Sequence, residues 1–186
     1  MIKEKIEKIF DIEGGNSGLT EDFVYNNQPT NEEESIKILS GATIERNILG
    51  YVNKNSRPNN RNLKIFKAPF IQIVRKGLAG YMTYFNLGEF TANDDIYILT
   101  IKKEWLNKVN LRWFAYQYQE LFYNLVTSKS DNATFNKEYA EKQRVKIPDI
   151  ECQNNIAKKL LKIDTLIERL EKTKERIKEL MEFKIT

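Results

Sequence analysis

Histidine is absent from this 186-residue chain. That excludes a Ser-His-Asp triad, a Cys-His dyad and any imidazole-ligated metal. Cys152 is the only cysteine, so neither an intramolecular disulfide nor a thiolate-rich zinc site can form. A reducing, cytoplasmic setting is the expectation. No apolar run reaches the ~18–20 residues that span a bilayer. The opening Met1-Ile2-Lys3-Glu4-Lys5 is charged where a secretory signal would be apolar. The chain therefore reads as neither secreted nor membrane-spanning, and its 41 % hydrophobic content is that of a folded domain.

A missing sign of charge is more telling. Residues 46–88 contain no acidic side chain but eight basic ones: Arg46, Lys54, Arg57, Arg61, Lys64, Lys67, Arg75 and Lys76. Asn47, Asn53, Asn55, Asn59, Asn60 and Asn62 are interleaved with them. Lys and Arg neutralise phosphates, while Arg and Asn bond base edges bidentately, so such a stretch suits nucleic acid. A solvated loop in a chain with 19 Asn residues would look the same. Charge alone does not decide between them.

The first part of the chain is β-rich. Ile36–Leu39, Ile48–Val52, Ile65–Val74, Gly80–Phe85 and Ile96–Ile101 are short apolar or alternating runs bounded by Gly, Asn and Asp. The pattern then becomes helical. Leu111–Val126 has no Gly or Pro, and Trp113, Phe114, Tyr118, Leu121 and Phe122 are expected to pack a core rather than stack on bases. Ser128–Asn136 reads as a polar turn, and Arg144–Ile147 as a last strand ending at Pro148.

From Glu151 to about Phe183 there is again no Gly or Pro. Ile156, Ile163, Leu170 and Ile177 recur every seven residues. Leu166 and Leu180 fill half of the companion positions, and Leu160 and Ile167 widen the stripe. An amphipathic helix of this length runs roughly 45 Å and is too long to lie wholly on its own domain, so a pairing helix is expected. The boundary falls at 148/149: a domain over 1–148 and a helix over 149–186.

Catalytic signatures are scarce. Gly14-Gly15-Asn16-Ser17-Gly18 lacks the Gly-Lys-Ser/Thr ending of a phosphate-binding loop, and no Asn/Asp-Pro-Pro-Tyr/Phe run is present. Asp94-Asp95 near Lys102, and Asp149 with Glu182 and Lys184, are scattered fragments of a Mg²⁺ nuclease site. Cys152 has no histidine to activate it, and a packing role at the helix start is expected. No metal and no cofactor is called for.

These motifs resemble, in order, the specificity (S) subunit of type I restriction-modification systems. Ile12–Thr20 is similar to the opening strand and loop of its target-recognition domain. Lys37–Thr43 and Ile48–Val52 resemble the segment P-V-I-S-A-T…N-G-I-x-G-Y-I, with Ile36 where proline is usual. Gly77–Met82 resembles its G-x-x-G turn. Ile147-Pro148, Gln153–Ala157 and Leu160–Asp164 resemble I-P-x-P-x-x-x-Q-x-x-I-A-x-x-L-x-x-I-D, with Ile150 in place of the second proline. Family members hold two recognition domains and two helices; this chain holds one of each.

The resemblance implies an α+β fold: a small, bent, β-rich recognition domain with packed helices, then one long coiled-coil helix. It implies a non-catalytic half-size subunit that homodimerises through antiparallel helices, reads a bipartite site in double-stranded DNA, and guides methyltransferase and endonuclease subunits. The expected DNA contacts are Thr43, Arg46, Asn47, Lys54, Asn55, Arg57, Asn59, Asn60 and Arg61, with Lys76, Asn93, Lys129 and Asn132. The expected helix contacts are Ile156, Leu160, Ile163, Leu166, Ile167, Leu170, Ile177 and Leu180. Two other readings compete: a small nuclease using Asp95 or Asp149, and a coiled-coil adaptor that does not read DNA.

Overall fold

A computed structural model describes residues 1–41, 48–127 and 133–182. Two apolar strands form its middle. β6 (Phe70–Val74) is buried along its whole length, and β9 (Ile96–Ile101) pairs with it antiparallel. A strand buried on both faces reads as a continuous apolar run, and the packing shows why. Ile71, Ile73 and Leu99 turn to one core; Phe70, Val74, Ile96 and Ile98 turn to another. β2 (Phe10–Gly14) and β7 (Met82–Phe85) flank the pair in the antiparallel order β2-β9-β6-β7.

The second core lies against a mixed sheet. Its order is β4-β3-β8-β5, from β3 (Ser35–Leu39), β4 (Ile48–Asn53), β5 (Phe66–Lys67) and β8 (Glu89–Ala92), with β3 parallel to β8. The run Ile65–Val74, expected to be one strand, is thus two strands in two sheets. They part at the cis Ala68-Pro69 peptide. Proline brings no N–H to a ladder, so pairing stops there.

The first core is closed by α3 (Leu111–Tyr123), capped by the Asn110 side chain, which accepts the Trp113 N–H. Trp113, Phe114 and Phe122 are buried, as expected of core aromatics, and Phe114 meets Phe10 edge-on at 4.6 Å. α1 (Ile6–Ile9) and α4 (Lys137–Lys142) complete this layer, and α2 (Glu21–Asn26) packs beside β4. Asn136, in the stretch read as a turn, caps α4. β1 (Ile2–Lys5) pairs antiparallel with β10 (Arg144–Ile147), so the first strand lies next to the residues that lead into the last helix.

That helix, α5 (Ile150–Glu182), has 33 residues. Asp149 starts it: one carboxylate oxygen accepts the Cys152 N–H at 2.8 Å. Cys152 itself is exposed, which corrects the expected packing role; its neighbour Gln153 is the buried residue. Gln153 Nε2 donates to the Lys108 and Pro148 carbonyls at 2.8 and 2.9 Å, and its Oε1 accepts the Asn110 N–H at 2.8 Å. Ala157 packs into the first core one turn on. Two turns later Asp164 pairs with Arg112 and accepts the Tyr116 hydroxyl. Burial first, and then the Asp164 carboxylate, pushes Tyr116 up to about 12.

Past Asp164, every side chain of α5 described here is exposed. No helix among the described residues is long and apolar enough to cross a membrane. Removing the Gln153 amide leaves the Lys108 and Pro148 carbonyls and the Asn110 N–H, all in part-buried hydrogen bonds, without their partner. Gln153→Ala is expected to lower unfolding stability by about 1–3 kcal/mol in urea titrations followed by tryptophan fluorescence, with Cys152→Ser within about 0.5 kcal/mol of the parent.

Candidate nucleic-acid interface

The acid-free run loses its isolation in space. Lys64 Nζ lies 3.1 Å from Glu13 of β2 and donates to the Gly14 carbonyl; Lys67 lies 3.1 Å from Glu89 of β8; Lys76 lies 3.1 Å from Asp95. Arg75 donates to the Asp94 carbonyl and sits over the Tyr97 ring. Besides Arg75, three bases of the run, Lys54, Arg57 and Arg61, have no carboxylate within 4.0 Å among the described residues. All three lie on the connection from β4 to β5, together with exposed Asn55, Asn59 and Asn60.

This connection is held at both ends. At its start, Asn53 Nδ2 donates to Glu34 Oε2 at 2.7 Å, the Lys54 N–H donates to the Glu34 carbonyl at 2.8 Å, and the Asn55 N–H donates to Asn53 Oδ1 at 2.8 Å. Midway, Pro58 is buried, and Asn59 and Asn60 take left-handed conformations with φ of 50° and 59°. Asparagine tolerates that region better than most residues. Arg57 donates to the Asn60 carbonyl at 3.4 Å.

At its end, Asn16, only 7 % exposed, accepts the Lys64 N–H on Oδ1 at 2.9 Å. Asn16 Nδ2 donates to Thr91 Oγ1 at 2.9 Å and to the Ala92 carbonyl at 3.0 Å. The Thr91 hydroxyl in turn donates to the Lys64 carbonyl at 2.9 Å. Ser17, next along, lies 3.4 Å from the Asn59 amide. Gly14 ends β2, and the Gly15–Gly18 stretch that follows turns away and abuts the basic loop.

The other expected contacts are placed differently. Thr43, Arg46 and Asn47, and likewise Lys129 and Asn132, lie outside the described residues. Lys76 is exposed but tied to Asp95. Asn93 is buried, and its Oδ1 accepts the Asp95 N–H at 3.2 Å, so it shapes the β8–β9 turn instead of facing outward. Glu34 and Thr91 escaped the sequence reading, which named Asn53 only as part of the Asn-rich stretch and Asn16 only as part of a Gly-rich one. Gly14-Gly15 beside Asn16 was the one signal for a tight approach.

The nuclease carboxylates have structural partners: Asp149 caps α5 and Asp95 pairs with Lys76. No group of three or more Cys, Asp or Glu among the described residues is placed to hold a metal. On α5, Leu160 is half-buried beside the domain. Ile156, Ile163, Leu166, Ile167, Leu170, Ile177 and Leu180 are exposed, Leu170 by 69 %.

Residues 3–179 match the family described as the type I restriction modification DNA specificity domain. No curated protein matches the chain. Its fold is similar to that of the type I restriction-modification S subunit from M. genitalium (TM-score 0.63, 17 % identity). It is also similar to the HsdS subunit from Thermoanaerobacter tengcongensis (TM-score 0.59, 15 % identity). These alignments cover 91 % and 92 % of this chain but 40 % and 39 % of the two solved chains. The chain thus spans about two fifths of their length.

The close approach at Gly15 yields a paired prediction. A Cβ there would lie 2.0 Å from the Asn93 carbonyl oxygen, whereas one at Gly14 would meet only Tyr97 ring atoms at 3.7 Å. Gly15→Ala is expected to cost about 1–3 kcal/mol in thermal or urea unfolding, with Gly14→Ala markedly milder.

Proposed function

Because this chain belongs to the family of type I restriction-modification DNA specificity domains, we propose that it reads DNA sequence and does no chemistry on it. Methylation and cleavage then belong to methyltransferase and endonuclease subunits that it brings to the site, in the reducing setting of a cytoplasm. The reading rests on one observation above all: within the acid-free run, three bases that no carboxylate pairs, Lys54, Arg57 and Arg61, share a single exposed, Asn-rich, anchored loop.

Lys54 grips phosphate as a point charge. Arg57, Arg61, Asn55, Asn59 and Asn60 offer the planar donor sets that match guanine and adenine edges in the major groove. Thr43, Arg46, Asn47, Lys129 and Asn132 are further DNA contacts in the proposal, with Lys76 as a phosphate contact.

The division at 148/149 gives the two parts separate tasks. The domain reads one half-site. The helix pairs antiparallel with that of a second copy through Ile156, Leu160, Ile163, Leu166, Ile167, Leu170, Ile177 and Leu180. Two-fold pairing presents two reading loops to half-sites related by symmetry, with the helices setting their separation and offering the methyltransferase its docking surface. A chain spanning two fifths of the solved S subunits supplies one such half per copy.

Two measurements test these parts. In binding titrations at several salt concentrations, Arg57→Ala and Arg61→Ala are expected to weaken DNA binding. A true base reader costs ~1–3 kcal/mol of discrimination, whereas Lys54→Ala weakens all sequences alike and lowers the salt slope by about 1. Lys67→Ala, whose ammonium is already paired with Glu89, is expected to change less. Unchanged affinity in both arginine variants would sink the loop as the contact surface. Light scattering is expected to give twice the 21.9 kDa chain mass, and Leu170→Glu, which puts a charge in the seam, is expected to give single chains.

A further inference from the structure

The hydrogen bonds that end the reading loop have a feature the loop's own residues do not explain. The Lys64 peptide is gripped on both sides by side chains from other segments: Asn16 Oδ1 takes its N–H, and the Thr91 hydroxyl takes up its C=O. Asn16 and Thr91 also bond each other, through Asn16 Nδ2 and Thr91 Oγ1. Asn16 is 7 % exposed and Thr91 fully buried. Neither reaches the surface where DNA would lie. Thr91 sits on β8, an interior strand of the mixed sheet, so the clasp ties the pose of a surface loop to a buried, doubly paired strand.

We infer that Asn16 and Thr91 are specificity-determining positioning residues: they hold the Arg57–Arg61 loop in the one pose in which its planar side chains meet base edges. This rests on the proposed DNA reading and adds to it a division of labour. Phosphate contact tolerates loop movement, because a point charge on a flexible stem keeps its attraction over several ångströms. Bidentate bonding to a base edge does not, because both hydrogen bonds need near-linear geometry. Loosening the clasp therefore separates the two kinds of contact. Non-specific affinity persists while discrimination falls.

The Lys64 side chain is not part of this device. Its ammonium is held by Glu13 and the Gly14 carbonyl, so the loop is fixed through a main-chain peptide. Any residue but proline at position 64 keeps the N–H and C=O that the clasp holds.

The test uses the full chain and duplex DNA. A preferred sequence is first selected from randomised duplexes with the parent protein; binding to that sequence and to unrelated duplex is then measured for each variant over a salt series. Asn16→Ala and Thr91→Val are expected to lose about tenfold or more of the preference, the size of one lost base contact. Their binding to unrelated DNA and their salt slope stay near those of the parent. Thr91→Ser, which keeps the hydroxyl, is expected to retain the preference. Should Asn16→Ala fold poorly, the near-isosteric Thr91→Val and Thr91→Ser pair carries the comparison. Variants that fold and keep the parent's preference overturn the inference, and so does an equal fall in specific and non-specific binding. If the parent itself selects no sequence, the DNA-reading proposal fails first; that result is distinct from a parent that selects and variants that do not lose the choice.

Discussion

Gln153 is the point on which the arrangement of the two parts depends. A buried amide is costly unless its donors and acceptor are matched, and here three backbone groups match it: two carbonyls and one N–H. Two of them, on Lys108 and Asn110, belong to the segment that leads into α3; the third, on Pro148, belongs to the segment that leads into α5. One side chain thus satisfies the stub ends of two helices and joins them. Apolar contact through Ala157 would allow the helix to slide or roll, because dispersion has little directional preference. The amide, with fixed donor and acceptor directions, does not.

The same logic governs the loop that the proposal assigns to DNA. Its charge was visible in sequence as a lack of acids, but that lack was local. Glu13, Glu89 and Asp95 arrive from other segments and neutralise Lys64, Lys67 and Lys76. Pairing acts as a filter within the run: it leaves Arg75, set over the Tyr97 ring, and a compact group of three on one connection. Exposed ion pairs of this type add little stability, with a median of roughly 0–1 kcal/mol. Their effect lies in where they leave charge unpaired.

What could be read from the sequence followed from the apolar pattern. β6 and β9 announce themselves as short apolar runs and α3 and α5 by apolar repeats of three to four residues, and the heptad recurrence from Ile156 to Ile177 foretold a helix with an uncovered stripe. Short elements did not: α1, α2 and α4 have four to six residues, too few to establish a repeat. The run Ile65–Val74 misled because hydrophobicity records burial and not sheet membership; only Pro69 marked the break. Within the candidate site, Arg57 and Arg61 were legible as residue types. Asn16 was not, because its partners are 48 and 75 positions away and nothing local signals such pairing.

The attachment of α5 also has a mechanical side. Its polar anchors are Gln153 and Asp164, eleven residues or about 16 Å apart at 1.5 Å per residue, while the helix continues about 27 Å beyond the second anchor. It is a cantilever gripped over its first four turns. A sideways shift of 1 Å at Asp164, with Gln153 as the pivot, moves the far end by about 2.6 Å. The bonds from Arg112 and Tyr116 to Asp164 accordingly act with leverage: modest in energy, they set the aim of everything mounted on the rod.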